Sequence, residues 1–231
     1  FLIAYSGGID STALLYFSKK IARKLNKKIK AIHVNHNLNK ESIKWEKHCS
    51  NFCKDIEVPL IIKNLNIVMH KGDSIEEIAR KDRYKSICDE INIKTVMMTA
   101  HHMEDQAETF LYQLLRGAGA KGLSSMPEIK KYNNGYHIRP FIKFSKKNLE
   151  NIVQHSNLKY VFDTSNNDIN FSRNFIRKSI FPIIEKKWPS YALTISRSAN
   201  NLSELFKLND DLAKIDIKEY LLEDINKINL N

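Results

Sequence analysis

No stretch of the 231 residues approaches the roughly 18 consecutive apolar residues of a membrane span, and nothing at the start resembles a signal peptide. A soluble, cytoplasmic protein without membrane contact is expected. Cysteine is scarce: Cys49, Cys53 and Cys88 are odd in number, and none stands in Cys-x-x-Cys spacing. That argues against a disulfide framework and leaves a zinc or iron–sulfur site short of ligands, so reduced, structural thiols remain. No internal repeat or low-complexity linker interrupts the chain, which leaves one ordinary α/β domain with room for a smaller helical appendage. Methionine is missing from position 1. The chain starts at Phe1, flush against an apolar run, so further sequence is expected on either side.

Acidic residues are also in deficit, 26 against 37 Lys and Arg, for a net charge of +11. This balance favours an anionic partner, nucleic acid first. A composition rich in Lys, Asn and Ile also follows from an AT-rich genome, so where the arginines fall carries more weight than the total.

The stretch that organises the chain is the apolar run Phe1-Leu2-Ile3-Ala4-Tyr5, which breaks into Ser6-Gly7-Gly8-Ile9-Asp10-Ser11 and then into a helix-like segment, residues 12–25. It reads as a buried strand, a tight turn and a helix start. Adjacent glycines let backbone N–H groups turn inward with no Cβ in the way, Ser6 and Ser11 add hydroxyls, and the helix points its positive end at the same spot. Such a concavity suits an anion with several oxygens. Because Gly-x-x-x-x-Gly-Lys-Ser/Thr is absent, it is not the usual phosphate loop, and Asp10 calls for an offsetting cation, magnesium by its chemistry. A plain strand–turn–helix with a serine cap leaves the same trace.

Further along, residues 30–36 read as a second strand, 41–56 as a return helix and 59–67 as another apolar run. A capping box at Ser74 and Glu77 opens a helix to about Ile91. Residues 95–100 form the next buried strand and run into His101-His102-Met103-Glu104-Asp105, where a helix starts that lasts to Arg116. The alternation predicts an α/β fold, a parallel sheet with right-handed crossovers and helices on both faces. Ligands bind such sheets at the carboxyl ends of the strands, so the Ser6 loop, His33 to His36, and His101 to Asp105 should meet on one edge. Residues 117–126 look like a mobile loop and 132–136 like a turn. Residues 137–142 are expected as a strand that Pro140 confines to an edge. A helix over 145–154, a polar loop over 163–168 and a helix carrying Arg173, Asn174 and Arg177 follow. Past Pro189, Ala192, Ile195, Ala199, Leu202, Leu205 and Leu212 make an apolar stripe on a long helix.

Two imidazoles and two carboxylates at one helix start can bind magnesium, orient a nucleophile or move a proton, and convergence with the Ser6 loop makes Asp10 and Asp105 the natural metal pair. A dipole-favoured acidic helix start with a capping histidine is the structural alternative. Arg80, Arg83 and Arg116, at or near helix ends, suit phosphate or carboxylate, and Arg173 with Arg177 puts two guanidiniums one turn apart, suited to phosphodiesters. Solvated surface is the alternative for each.

The loop Ser6 to Ser11 resembles the pyrophosphate loop of the N-type ATP pyrophosphatases, which split ATP between the α and β phosphates and adenylate a carbonyl-type oxygen. The other motifs narrow the resemblance: His33-Val34-Asn35-His36-x-Leu38, Glu76-Glu77-x-Ala79-Arg80-x-x-Arg83-Tyr84, Thr99-Ala100-His101-His102-x-Glu104-Asp105-Gln106-x-Glu108-Thr109, Leu115-Arg116-Gly117-x-Gly119-x-x-Gly122-Leu123, Arg139-Pro140, Asp163-x-Ser165-Asn166 and Arg173-Asn174-x-x-Arg177. In this order, over roughly residues 1–180, they resemble the bacterial tRNA(Ile)-lysidine synthetases. Asn39 stands where that family usually has arginine, and Glu104 where it has aspartate. The family's C-terminal tRNA-binding domains are not recognisable.

The resemblance implies a Rossmann-like PP-loop ATPase domain over 1–188, followed over 189–231 by a helical linker or the start of a substrate-recognition domain. It implies ATP and Mg2+, with tRNA (isoleucine, CAU anticodon) and free L-lysine as partners, and leaves a homodimer open. The wobble cytidine's C2 oxygen would be adenylated with loss of pyrophosphate, and the lysine amine would displace AMP to give lysidine. Ser6, Gly7, Gly8, Ile9, Asp10, Ser11, His33, Asn35 and His36 would hold the nucleotide, and Asp10 and Asp105 the metal. Asp10, His102, Asp105 and Arg116 would be catalytic, with Asp105 or Glu108 taking the lysine proton. Arg80, Arg83, Glu108, Arg173, Asn174 and Arg177 would meet tRNA or lysine. A cytidine thiolase, which needs Cys-x-x-Cys pairs, and a non-catalytic basic nucleic-acid-binding module are the alternatives.

Overall fold

The computed structural model describes residues 1–35, 41–65, 75–162 and 168–217. Four apolar runs form the strands β1 (Leu2–Ala4), β2 (Lys30–Asn35), β3 (Leu60–Asn64) and β4 (Val96–Met98). Between them run α1 (Ile9–Lys24), α2 (Ser42–Asp55) and α3 (Ile75–Cys88). Pairing is parallel, with β1 between β2 (Leu2 opposite Lys30) and β4 (Leu2 opposite Met97), and β2 beside β3 (Ala31 opposite Leu60). Because side chains alternate along a strand, neighbouring residues serve opposite cores. Ile3 and Tyr5 pack with Leu14, Leu15, Cys49, Phe52 and Cys53 from α1 and α2. Leu2 packs with Ile32, Met97 and Ile87 of α3 on the other face. The capping box placed at Ser74 lies outside the described residues.

After β4 come α4 (Met103–Leu115), α5 (Ala120–Leu123), β5 (Ile129–Tyr132) and β6 (Gly135–Ile138). The completed sheet has six strands in the order β3-β2-β1-β4-β6-β5. Two expectations need correction here. The strand placed at 137–142 on an edge ends instead at Ile138, so Pro140 never enters the ladder, and β6 is interior, parallel to β4 and antiparallel to β5. The edge belongs to β5, where exposed Lys130 and Lys131 oppose pairing with another chain. The stretch 117–126 is not a loose loop: it holds α5, and buried Gln106 clamps its far end, donating from Nε2 to the Met126 carbonyl and accepting the Met126 N–H, both at 3.0 Å.

The remainder is helical: α6 (Lys146–His155), α7 (Ser172–Phe175) continuing through a π-helical turn (Ile176–Ile180) into α8 (Phe181–Lys187), and α9 (Tyr191–Ile217). Ala107 of α4, Ile176, Phe181 and Ala192 form a third core. Small buried residues, Ala192, Ser196 and Ala199, let the first half of α9 approach α4 closely. Of the expected stripe Ala192 and Ala199 are buried and Ile195 and Leu202 half-buried, while Leu205 and Leu212 are exposed. No described helix is long and apolar enough to cross a membrane.

Candidate active site

From β1 the chain crosses to β2 on one side, while β4 lies on the other, so strand order reverses between β1 and β4. In open α/β sheets the crevice for ligands lies at such a switch point, beyond the carboxyl ends. The Ser6 loop leaves β1 there, and His101 and His102 follow β4 at the same place.

The loop is built by its own polar groups. Ser6 Oγ and Ser11 Oγ lie 3.0 Å apart, the Ser6 N–H donates to Ser11 Oγ at 3.2 Å, and Ser11 Oγ donates to the Gly8 carbonyl at 3.0 Å. Gly7 has φ +86°, and a Cβ there would stand 2.9 Å from both Cys49 Sγ and Val161 Cγ2. Its carbonyl accepts the Val161 N–H at 2.9 Å, which seats the segment after α6 against the loop. Gly8 is different. It is the extended N-cap of α1, and a Cβ would meet only Ser6 Oγ, at 3.5 Å, so the missing side chain leaves open space in front of the helix N-terminus. That space and the dipole behind it suit an anion.

Facing it, three carboxylates surround one imidazole. His102 is the extended N-cap of α4, its N–H donating to Asp105 Oδ2 at 3.0 Å. Its Nδ1 lies 3.0 Å from Glu104 Oε2, and its Nε2 lies 3.5 Å from Asp105 Oδ2 and 3.9 Å from Asp10 Oδ2. Burial pushes the His102 pKa down, but Asp105, Glu104 and Asp10 outweigh it and raise it to about 8. Burial raises Asp10, with His102 opposing. Burial also works against ionised Asp105, yet His102, His101 and Arg177 leave its pKa below the ordinary carboxylate value. The acidic groups sit in first turns, Asp10 of α1 and Glu104 and Asp105 of α4, where helix dipoles favour negative charge. A third helix, α6, adds its first N–H, from Lys146 to Glu104 Oε2 at 2.9 Å.

Residues 1–184 match the PP-loop domain family. The chain belongs to that family. Over 94% of its length the chain is similar to the tRNA(Ile)-lysidine synthase of Coxiella burnetii, at 39% identity, and over 84% to that of Buchnera aphidicola from Acyrthosiphon pisum, at 44%. The chain spans about half the length of these curated relatives, 49% and 43% respectively. Among solved structures, a U34-tRNA thiolase from Methanococcus maripaludis with its [4Fe-4S] cluster superposes with a TM-score of 0.73 over 88% of this chain and 71% of its own, at 18% identity. That likeness is one of fold.

Within the PP-loop domain, Ser6 to Ser11, His102 and Asp105 come together as the sequence suggested, and so does Glu108, buried on α4. Arg177 does not lie along a surface for phosphodiesters. It turns inward and forks onto Glu108, Nε to Oε1 at 2.6 Å and Nη2 to Oε2 at 2.8 Å, with Nη2 also 3.3 Å from Asp105 Oδ1. Burial raises the Glu108 pKa, with Arg177 pulling against it. Arg173 reaches Thr109 Oγ1 at 3.4 Å, and Asn174 donates to the Asp168 carbonyl at 2.8 Å. Arg116 is separated from the cluster. It caps the opposite end of α4, about 20 Å away by helical rise, with Nη1 on the Tyr112 hydroxyl at 2.6 Å.

His33 and Asn35 end β2 as buried groups, His33 Nδ1 2.9 Å from the Tyr5 carbonyl and Asn35 donating to Glu46 Oε2 at 3.1 Å. Arg83 is exposed on α3, within electrostatic reach of His33. His36 lies outside the described residues, as does the side chain of Arg80. Lys146, within electrostatic reach of Asp10, was missed by sequence reasoning, and its only signal was its place after the capping Ser145. Among the described residues no three His, Cys, Asp or Glu side chains could hold a metal by themselves. Asp10 Oδ1, however, is buried with no hydrogen-bond partner. An unsatisfied carboxylate oxygen beside a phosphate cradle fits magnesium, which takes one or two carboxylates and fills its shell with phosphate and water.

Proposed function

We propose that this PP-loop domain is the catalytic part of a tRNA(Ile)-lysidine synthase. It would adenylate the C2 oxygen of the wobble cytidine in the isoleucine tRNA with the CAU anticodon, and the amine of free L-lysine would then displace AMP. The observation that carries the reading is the meeting of the Ser6 loop with Asp10, His102 and Asp105 at the sheet's switch point. The named relatives support it over most of the chain. The family is an ATP-binding one. In this reading the Ser6 and Ser11 hydroxyls and the N–H groups at the start of α1 receive pyrophosphate, and Gly8 leaves room for it. His33 and Asn35 bound the nucleoside side. Asp10 and Asp105 would hold Mg2+, whose charge offsets that developing on the phosphates during in-line attack.

His102, whose pKa the surrounding carboxylates raise to about 8, steadies both carboxylates and can give a proton to the leaving pyrophosphate. Lysine's amine, with a free pKa of ~10.4, must shed a proton before it attacks. Glu108, raised by burial and aimed by Arg177, is the group to take it. Arg80, Arg83, Arg173 and Asn174 are left for tRNA or lysine, and the place of work is the cytoplasm.

The test is AMP release from α-labelled ATP with magnesium, with tRNA and lysine varied independently in the full-length protein. AMP that requires both supports the synthase. AMP formed without lysine, with sulfur transfer to tRNA, would point to a thiolase, although no Cys-x-x-Cys pair is present to handle sulfur. Tight tRNA binding with no binding of ATP would leave a basic nucleic-acid-binding module.

A further inference from the structure

One polar chain near the crevice is not used by this chemistry. Thr99 closes β4, and its hydroxyl touches two histidines, His101 Nδ1 at 2.7 Å and His137 Nε2 at 2.8 Å. His137 belongs to the neighbouring strand β6 and is completely buried, with the rings of Tyr84 and Tyr132 at 5.9 and 6.0 Å. His101 stands at the crevice, one residue before the N-cap of α4, within electrostatic reach of Asp105. A hydroxyl has one proton to donate and can accept from others. The two ring nitrogens therefore cannot both be acceptors toward Thr99: at least one must carry a proton, and the state of one ring constrains the other. The contact with His137 is buried and that with His101 half-buried, and an unmatched donor or acceptor is costly where water cannot replace the partner.

We infer that His137 is a positioning residue for His101: through the Thr99 hydroxyl it sets which nitrogen of His101 carries the proton and holds that ring at the mouth of the crevice. His101 is thereby held in one tautomer. A residue buried in the core would control the hydrogen-bond polarity of a group within electrostatic reach of Asp105.

The test is long-range 1H–15N NMR of the histidine rings in the wild-type protein and in Thr99→Val, Thr99→Ser and His137→Gln. Wild type and Thr99→Ser should show His101 in one dominant tautomer. The isosteric Thr99→Val should shift the tautomer ratio about fivefold, the size expected of one net hydrogen bond, and His137→Gln should move the His101 signals although the substitution is on another strand. His101 signals unchanged in both Thr99→Val and His137→Gln overturn the inference. Should His137→Gln not fold, the His137 ring signals decide: they should shift together with those of His101 in Thr99→Val and return in Thr99→Ser, and His101 signals that move while those of His137 stay put overturn the inference. Only a second readout rests on the proposed synthase reading: kcat for AMP formation should fall in Thr99→Val with KM for ATP unchanged and recover in Thr99→Ser. Absence of AMP formation in every variant, wild type included, counts against that reading and leaves the ring signals as the judge of this one.

Discussion

Replacing Arg177 with leucine removes the partner of a nearly sealed carboxylate. The Glu108 side chain is 2% exposed and receives two of the guanidinium's N–H groups, while the Arg177 side chain remains 36% exposed. Breaking a buried pair from one side costs ~3–5 kcal/mol, and solvent around the guanidinium argues for the lower end, about 3 kcal/mol. At ~2–4 °C per kcal/mol for a chain of this size, the melting temperature should fall by about 6–12 °C. The loss should depend on pH, and its sign follows from Glu108. Burial raises its folded pKa, so stability is fully present below the ordinary glutamate value of 4.5 and is lost as pH rises through the raised one. Without Arg177 that rise is larger, so the deficit should be greatest near about pH 8 and shrink toward about pH 5. The assay is calorimetric unfolding of wild type, Arg177→Leu, Glu108→Gln and the double variant at both pH values. The double variant should lose clearly less than the sum of the singles. Strict additivity, or a loss independent of pH, would refute the reasoning.

Gly7→Ala and Gly8→Ala should separate stability from binding. The first places a side chain at φ +86° against Val161 and Cys49 and should destabilise by more than the ~1–2 kcal/mol of backbone strain alone, seen as a lower melting temperature. The second should melt like wild type yet weaken pyrophosphate binding in calorimetric titration, since its Cβ enters the open space before α1. His102 contributes ion-pair stability that is complete below the ordinary value of 6.5 and is lost as pH rises through about 8. Wild type should therefore lose more melting temperature across that window than His102→Gln, and parallel curves would remove the ion pair from the account. Asp10→Asn should cut AMP formation by about 100-fold or more, whereas Arg116→Ala, at the far end of α4, should stay within about twofold in kcat.

The sheet was legible because its central strands are apolar runs with polar ends, so residues 1–5, 30–36 and 95–100 announce both the strands and the edge where ligands gather. β5 was not legible. Its two hydrophobic side chains, Ile129 and Tyr132, stand at its ends around two lysines, and among the described residues it pairs with β6 alone, so neither periodicity nor a hydrophobic run marks it. Pro140 misled because proline limits a strand only where the ladder reaches it, and β6 stops at Ile138. Glycines made 117–126 look loose, while the clamp that fixes the segment is a single glutamine 20 residues upstream of Met126. In the site, short-range motifs told the truth about neighbours: Ser6 with Ser11, His102 with Asp105. Pairings across the fold, Arg177 with Glu108 and Thr99 with His137, join residues 69 and 38 positions apart, and no spacing rule reaches that far. The strand-end argument brought the Ser6 loop and the start of α4 to one edge of the sheet, but neither it nor the resemblance showed that Arg177 faces inward or that Arg116 stands away from the rest.

β1 and β4, whose carboxyl ends carry the two halves of the crevice, are neighbours in register through Leu2 with Met97 and Ile3 with Met98, all four in or against the main cores. The floor of the crevice is therefore a seam anchored in both main cores. Amide exchange at Ile3 and Met98 should require global unfolding, so the distance between the Ser6 loop and the start of α4 is fixed before any substrate arrives. Whatever adjustment a ligand demands falls to the covering segments around that seam, and the two halves of the crevice act on it as the jaws of a rigid gauge.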